Sequence, residues 1–224
     1  MQSKVKLTKR QIKEDKFTAF MLKSKDEILE KWQFYVIGLA VVVLAVAAVF
    51  YYVNSRKTGH LDAGQKLAQA MLDYRSGNNQ VAILALTQIT DDYSGDDAAE
   101  QATFLLGRIN YETKNYPEAI RYYELYLSTY RDDKLNRAAA LAGVGACQEN
   151  QGNYAEAATK YLAAIDEYPD GPLVADYNLA AMRAYLFQGD VAKARERLTI
   201  LDEKFKGSGS TEEADRLFAE KGHS

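Results

Sequence analysis

The most apolar stretch of the chain runs from Trp32 to Val53 and contains no charged side chain. At about 1.5 Å of rise per residue, a helix of this length crosses the roughly 30 Å hydrocarbon core of a bilayer. Aromatic residues stand at both ends of the stretch, where their rings favour the two headgroup levels. The pattern predicts a transmembrane helix over residues 32–53 rather than an apolar core helix of a soluble domain.

The chain after this stretch shows a different pattern, in which amphipathic helices alternate with short polar turns and no segment has the alternation of a strand. Aligning four such turns on one alanine of the helix that follows each gives Ala82, Ala119, Ala157 and Ala194, at spacings of 37, 38 and 37 residues. A sustained period of this size predicts stacked helical hairpins, because one hairpin cannot bury its apolar face without neighbours. The predicted fold class is therefore all-α.

Residues 138–169 show how one hairpin is encoded. The first helix is rich in alanine and glycine, which lets its partner helix approach closely. Gly152 suits the end of that helix, and Asn153 is expected to cap the next one. Pro169 then ends the second helix, while Pro117 of the preceding hairpin falls in a first turn, where a missing N–H costs nothing.

These positions follow a known repeat pattern. In residues 138–171 the matching positions are Leu141, Gly145, Gly152, Tyr154, Ala157, Tyr161, Ala164 and Pro169. In residues 100–133 they are Leu106, Gly107, Tyr116, Ala119 and Tyr123, with Tyr126 and Arg131 in place of the small residue and the proline. The pattern resembles the tetratricopeptide repeat (TPR), although the period exceeds that family's usual length and implies longer connectors. The resemblance implies a TPR-like α-solenoid of about four helical hairpins whose first helices line a groove for extended or helical peptides.

The predicted order of parts follows from these patterns. We expect a basic cytoplasmic tail that is partly an amphipathic helix (1–31), a transmembrane helix (32–53), a connector (54–60), TPR-like repeats (61–206), and a linker with a capping helix (207–224). The glycine–serine stretch at 207–210 marks the last break. Three roles remain open for the tail: a solvated helix, a basic face on anionic lipid, or a cytoplasmic docking site.

The charges predict the orientation of the span. Residues 1–57 hold 11 Lys and Arg against 5 Asp and Glu, a net charge of +6, which leaves −9 for residues 58–224. By the positive-inside bias, the N-terminus stays cytoplasmic and the repeats are translocated. The polar stretch before the span and the length of the span favour an uncleaved signal anchor over a cleaved signal peptide. The acidic repeat domain argues against nucleic acid as its partner.

The side chains that usually carry chemistry are few. His60 is expected in the connector and His223 at the C-terminus, where neither is held rigidly for a triad or a metal site. Cys147 is expected to be a buried thiol, because it lies among alanine and glycine without a nearby base. Three acidic pairs are expected to be solvated helix caps: Asp91-Asp92, Asp96-Asp97 and Asp132-Asp133. The sequence therefore predicts no enzyme, cofactor, metal or small-molecule substrate.

The resemblance to the tetratricopeptide repeat implies a helix register, and this register indicates which side chains face the groove. The candidate peptide-binding residues are Leu67, Met71, Tyr74, Phe104, Arg108, Tyr111, Glu149, Asp176, Leu179 and Arg183, with Ala142 and Ala146 as small neighbours. The alternative for each residue is an ordinary packed helix face. For Arg108 and Arg183, pairing with an acidic partner protein and pairing within the domain are both open.

The order of parts resembles the ancillary subunit of the bacterial Sec translocon, although the cytoplasmic tail is longer here. It is also similar to envelope TPR proteins of cell division and outer-membrane assembly. The resemblance implies a single-pass bacterial inner-membrane scaffold whose periplasmic repeats bind translocon components, secreted substrates or chaperones. The alternative is a structural or self-assembling envelope component.

Overall fold

The structure is a computed structural model that describes the backbone of residues 9–221 and the side chains of residues 18, 20, 32–51 and 60–221. The chain divides into two compact units, Met1–Thr58 and Gly59–Ser224. Within residues 9–221 every regular element is an α-helix, and there are nine of them. The prediction of an all-α fold is therefore confirmed.

The first unit contains most of helix α1, which begins at Lys9 and ends at Arg75. Within it, Trp32–Tyr51 is long and apolar enough to cross a membrane, by length and composition, and has a mean hydropathy of 2.6. None of the side chains of this candidate span is buried against the protein. The amphipathic and basic faces predicted for residues 1–31 lie largely outside the described side chains.

The predicted connector, residues 54–60, is helical and lies inside α1. The prediction of a connector there relied on a short polar segment with a single glycine, Gly59. One glycine in a helix costs only about 1 kcal/mol relative to alanine. Since no proline accompanies it, the helix continues through this segment.

The second unit is a stack of helical hairpins. Its further helices are α2 (Asn79–Asp92), α3 (Asp97–Glu112), α4 (Tyr116–Thr129), α5 (Lys134–Asn150), α6 (Tyr154–Glu167), α7 (Val174–Gln188), α8 (Val191–Lys204) and α9 (Gly209–Lys221). Residues 61–75 of α1 pair with α2, and α3–α4, α5–α6 and α7–α8 form the next three hairpins. Each hairpin packs on the following one, and α9 packs on both α7 and α8. The predicted solenoid of about four hairpins with a terminal helix is thus observed.

The core of the stack repeats with the sequence period. The four aligned alanines, Ala82, Ala119, Ala157 and Ala194, are all fully buried. Each of them therefore lies inside the close-packed core of its hairpin. The alanine spacing read from the sequence is therefore the spacing of the hairpins.

Tyr123 of α4 joins two hairpins through its ring. A Cβ atom added at Gly107 of α3 would lie 2.7 Å from the ring of Tyr123, and one added at Gly143 of α5 would lie 2.6 Å from it. The ring is thus in contact with glycine backbone in its own hairpin and in the next one. Burial raises the pKa of the Tyr123 hydroxyl well above its ordinary value. The close helix approach predicted from the alanine- and glycine-rich helices is observed here.

Alanine at Gly107 or Gly143 is expected to lower the free energy of unfolding by about 1–3 kcal/mol, because the added methyl group displaces the Tyr123 ring. Gly64 is the matched control, since it is exposed in α1 and no atom lies within 4 Å of the added Cβ. Gly64→Ala should instead stabilise by about 0.5–1 kcal/mol. Chemical denaturation of the full chain in mild detergent measures the free energy of unfolding of all three variants. Equal effects at the three sites would contradict the role assigned to Tyr123.

The turns within the four hairpins share one backbone feature. Gly77, Lys114, Gly152 and Gly189 have φ angles of 82°, 61°, 83° and 87°, in the left-handed region. The predicted role of Gly152 as a helix-ending residue is confirmed by this angle. Asn153, however, makes no cap bond with its side chain, whose amide donates instead to Gln148 Oε1 at 2.8 Å. Asn153 occupies the cap position of α6, but its backbone, with φ −86° and ψ 65°, is not in the extended conformation of a residue whose side chain caps a helix, and the expected side-chain bond is absent.

Lys114 is the one residue with a side chain at these four turn positions, and the left-handed conformation costs such a residue roughly 1–2 kcal/mol. Lys114→Gly is therefore expected to raise the free energy of unfolding by about 1 kcal/mol. A shift of the thermal unfolding midpoint to higher temperature would support this. Lys160→Gly, in the interior of α6, is the comparison and should destabilise the protein.

Candidate protein-binding groove

The first helices of the four hairpins are residues 61–75, α3, α5 and α7, and the surface that they contribute to the second unit is here called the first-helix face. Two cavities open on it. The larger, of about 970 Å³, lies between residues 61–75, α3 and the start of α5. The smaller, of about 350 Å³, lies between the C-terminal ends of α3, α5 and α7. The first-helix face therefore contains two separate depressions.

The larger cavity has an apolar floor and an acidic rim. Its apolar and aromatic lining consists of Leu67, Met71, Phe104, Leu105, Tyr126, Leu135 and Tyr168. Its carboxylates are Asp97, Glu100, Asp132 and Asp133, and its one basic residue is Lys134. Tyr126 is buried and donates its hydroxyl to Glu100 Oε1 at 2.7 Å, which fixes one carboxylate beside the floor. Phe104 packs edge-on against Tyr126 with ring centroids 5.5 Å apart.

Two of the acidic pairs predicted to be helix caps have one capping member each. Asp96 accepts the N–H of Ala98 at 2.8 Å, and Asp133 accepts the N–H of Asn136 at 3.0 Å. Asp91 and Asp92 lie instead at the exposed end of α2. The capping members position their neighbours, so that the loop before α5 supplies its acidic groups to the larger cavity.

The predicted groove residues divide between the two cavities. Leu67, Met71 and Phe104 line the larger one, although Leu67 is only 6% exposed and serves mainly as its floor. Tyr111, Glu149 and Arg183 line the smaller one, together with Ala146. Ala142 packs partly buried in the core.

Tyr74 and Arg108 lie in neither lining and bind Glu112. The Tyr74 hydroxyl donates to Glu112 Oε2 at 2.6 Å, and Arg108 Nε donates to Glu112 Oε1 at 3.0 Å. Arg108 remains 56% exposed in this contact. The intradomain alternative left open by the sequence is the one found for Arg108.

Arg183 is also paired within the domain. Its Nε lies 2.6 Å from Glu149 Oε1 and its second guanidinium nitrogen 2.9 Å from Oε2, a bidentate contact between α7 and α5. The Tyr161 hydroxyl donates to the same carboxylate at 2.7 Å, which brings in α6. The hydrogen bonds that Arg183 donates to Glu149 raise the pKa of Arg183 further above its ordinary value. In the smaller cavity the charge of Arg183 is therefore already paired with Glu149.

Asp176 and Leu179 are not among the residues that line the two cavities. Leu179 is 7% exposed and packs in a core cluster with Ala214 and Phe218 of α9. Asp176 is exposed and accepts a hydrogen bond from Ser210 at the start of α9. Because α9 packs against α7, it covers Leu179, whereas Asp176 remains exposed.

Cys147 and His60 are the other side chains that the sequence singled out. Cys147 is fully buried, and burial raises the pKa of its thiol to about 12, which confirms the expected buried thiol. His60 is not in a loose connector but in α1, where it pairs with the carboxylate of Asp96. His223 lies outside the described residues. Among the described side chains, no group of three or more His, Cys, Asp or Glu residues is placed to hold a metal ion.

The residues that sequence reasoning missed come mainly from loops. Asp132, Leu135 and Tyr168 flank connectors and were not assigned to the groove, yet they line the larger cavity. The available signal was the period itself, which exceeds the usual repeat length and placed the additional residues in such connectors. A cavity formed by a helix face together with a loop cannot be derived from helix register alone.

Glu149→Gln is expected to lower the free energy of unfolding by about 2 kcal/mol, because the Arg183 charge then lacks its carboxylate in a partly buried site. Glu112→Gln is the matched control, since the Arg108–Glu112 pair is exposed and should change stability by less than about 0.5 kcal/mol. Urea denaturation of both variants measures the difference. Equal losses would show that the Arg183–Glu149 pair is no more than a surface contact.

Comparison with known proteins shows which family and which structures this chain is similar to. Residues 67–134 and 126–172 match the family model described as the tetratricopeptide repeat. Two crystal structures of TPR-like repeats, described as those of a Podosopora anserina kinesin light chain, have the same fold. One is of a single-substitution form of that protein and has a TM-score of 0.56, and the other has 0.55; each is 15% identical and aligns over 71% of this chain and 86% of its own. No curated protein sequence matches the chain.

The family match covers the two middle hairpins and most of the first. At 15% identity the crystal structures establish the fold alone. The alanine period, the left-handed turns and the family match coincide over residues 67–172, which are therefore similar to tetratricopeptide repeats, and the fourth hairpin continues the same fold.

Proposed function

We propose that the protein is a membrane-tethered scaffold that binds other proteins through the first-helix face of its repeat domain. The TPR fold is typically a non-catalytic module for protein–protein interaction. The observation that carries the proposal is the larger cavity, which combines an apolar floor with charged groups at its edge. That combination of anchoring pocket and polar rim is typical of sites that bind protein segments.

The tether in this proposal is the candidate span Trp32–Tyr51. Its length and composition support a single membrane crossing. The excess of positive charge before the span supports an N-terminus in the cytoplasm and a translocated repeat domain. The location we propose is a bacterial inner membrane, with the repeats on the periplasmic side.

The partner classes follow from this location and from the resemblance to envelope TPR proteins. They are translocon components, secreted polypeptides and periplasmic chaperones, each of which presents protein segments near the membrane. A role without catalysis is supported by the buried Cys147 thiol, since a pKa of about 12 keeps it protonated at neutral pH. No cofactor is part of the proposal.

One observation favours a second candidate function, self-assembly. Leu72, Val81 and Leu84 of the first hairpin are large apolar residues with 54%, 53% and 73% of their surface exposed. An envelope component that stacks on copies of itself would use such a face. The two functions therefore predict contacts at different residues.

A photo-crosslinking amino acid at Leu135, on the rim of the larger cavity, is expected to give adducts with other proteins in intact cells. The same amino acid at Leu84, which lies outside both cavities, is the control. Cross-links between copies of the chain through Leu84 alone would favour self-assembly instead. Protease added to spheroplasts should degrade the repeat domain, and full protection would overturn the proposed orientation.

A further inference from the structure

We infer that the larger cavity selects protein segments in which a large apolar side chain is flanked by lysine or arginine. This inference rests on the proposed function and specifies the chemistry of the partner. It is carried by the arrangement of the cavity, an apolar floor enclosed by carboxylates, and by the two carboxylates that the fold leaves without a partner.

The floor accommodates an apolar side chain. Leu67 and Tyr126 are buried beneath it, while Met71 and Phe104 are partly buried at its sides. Leu135 is 43% exposed at the rim, so a bound segment would cover apolar surface that water now contacts. The volume of about 970 Å³ is at the upper end of the roughly 300–1,000 Å³ range of pockets that enclose most of a ligand. The cavity therefore has room for several side chains of a bound segment.

The rim is acidic, and two of its four carboxylates have no hydrogen-bond or ion-pair partner among the described side chains. Glu100 accepts the Tyr126 hydroxyl, and Asp133 caps α5. Asp97 and Asp132 are exposed and make no hydrogen bond or ion pair within the described part of the chain. Two carboxylates thus remain available to a ligand while the other two are held in place by the fold.

Two cations near this cavity in the sequence, Lys66 and Arg137, are paired within the domain. Lys66 binds Asp62 and the Tyr93 hydroxyl. The Arg137 guanidinium binds Glu167 and the carbonyl oxygens of Leu127 and Tyr130. Lys134 is the one basic residue of the lining, and its charge acts on Glu167, whose pKa is lowered chiefly by its hydrogen bond from Arg137. Four carboxylates therefore face a single ammonium group.

An apolar cavity wall of low polarisability focuses the field of these carboxylates, which attracts cations and repels anions. A segment with lysine or arginine on both sides of an apolar anchor satisfies both parts of the cavity at once. A segment with glutamate or aspartate in those places would bring like charges together, which costs affinity. The rim thus discriminates by charge while the floor provides contact area.

The test uses the full chain in detergent micelles and three fluorescein-labelled peptides that share a Leu-x-Phe centre and differ in flanks of lysine, serine or glutamate. We expect the lysine-flanked peptide to bind about tenfold more tightly than the glutamate-flanked one at physiological salt, by fluorescence anisotropy. This preference should shrink at about 1 M salt, since exposed charges are then screened. Equal affinity for the three peptides would overturn the inference.

Two double variants with the same change of charge test whether the preference for lysine-flanked peptides arises at the cavity. Asp97→Asn with Asp132→Asn should weaken the lysine-flanked peptide about fivefold. Asp91→Asn with Asp202→Asn makes the same change of charge at exposed sites outside the cavity and should leave its affinity unchanged. Equal losses in the two double variants would show a general effect of net charge and would overturn the assignment.

Failure of the inference is distinguishable from failure of the proposed function. Leu135→Ser should weaken every peptide that binds the floor, whereas Leu84→Ser, outside the cavity, should not. If the three peptides bind equally tightly and Leu135→Ser weakens all of them, the cavity binds peptides but has no charge preference. That outcome would support the proposed function and overturn only this inference. No binding by any peptide, with no cross-link from Leu135, would overturn both.

Discussion

Tyr123 lies between two glycines, Gly107 of its own hairpin and Gly143 of the next, at distances that leave no space for a further carbon atom. A TPR-like hairpin buries its apolar face only against its neighbours, so the distance between hairpins determines whether a core exists at all. The tyrosine ring sets that distance, and the glycines permit it. In the following hairpin Gly145 and Tyr161 form a similar contact, where an added Cβ would lie 3.0 Å from the ring. The position of the first helices, and hence the cavities between them, depends on these contacts.

The chemistry of the larger cavity follows from how α3 and α5 begin. Each helix starts at a pair of aspartates, of which one caps the helix and the other is free. Asp96 and Asp133 satisfy backbone N–H groups, whereas Asp97 and Asp132 line the cavity without an internal partner. The free members make no side-chain cap bond and place negative charge beside an apolar floor, where a cationic group of a ligand would complement them. That balance is why we assign the cavity to a cationic partner.

The sequence was sufficient for features that repeat. The alanine period predicted the hairpins, and Gly152 predicted its left-handed turn, because each is a local requirement on one residue. It was insufficient where the outcome depends on a distant segment. Leu179 was assigned to the groove because the register gives no information about where α9 packs, and α9 covers it. The loop residues of the larger cavity were not predicted for the same reason, since helix periodicity does not determine the path of a connector between helices.

The two depressions of the first-helix face differ in how much of their charge the fold already uses. In the smaller cavity the bidentate Arg183–Glu149 pair and the Tyr161 hydroxyl satisfy one another, so a ligand would have to compete with these bonds. A partly buried pair of this kind stabilises the stack only while it is intact, and separating it costs more than an exposed pair would. In the larger cavity no such competition exists, because the exposed carboxylates have only water to lose. The Arg183–Glu149 pair therefore belongs to the structure of the stack, and binding is assigned to the cavity between residues 61–75, α3 and α5.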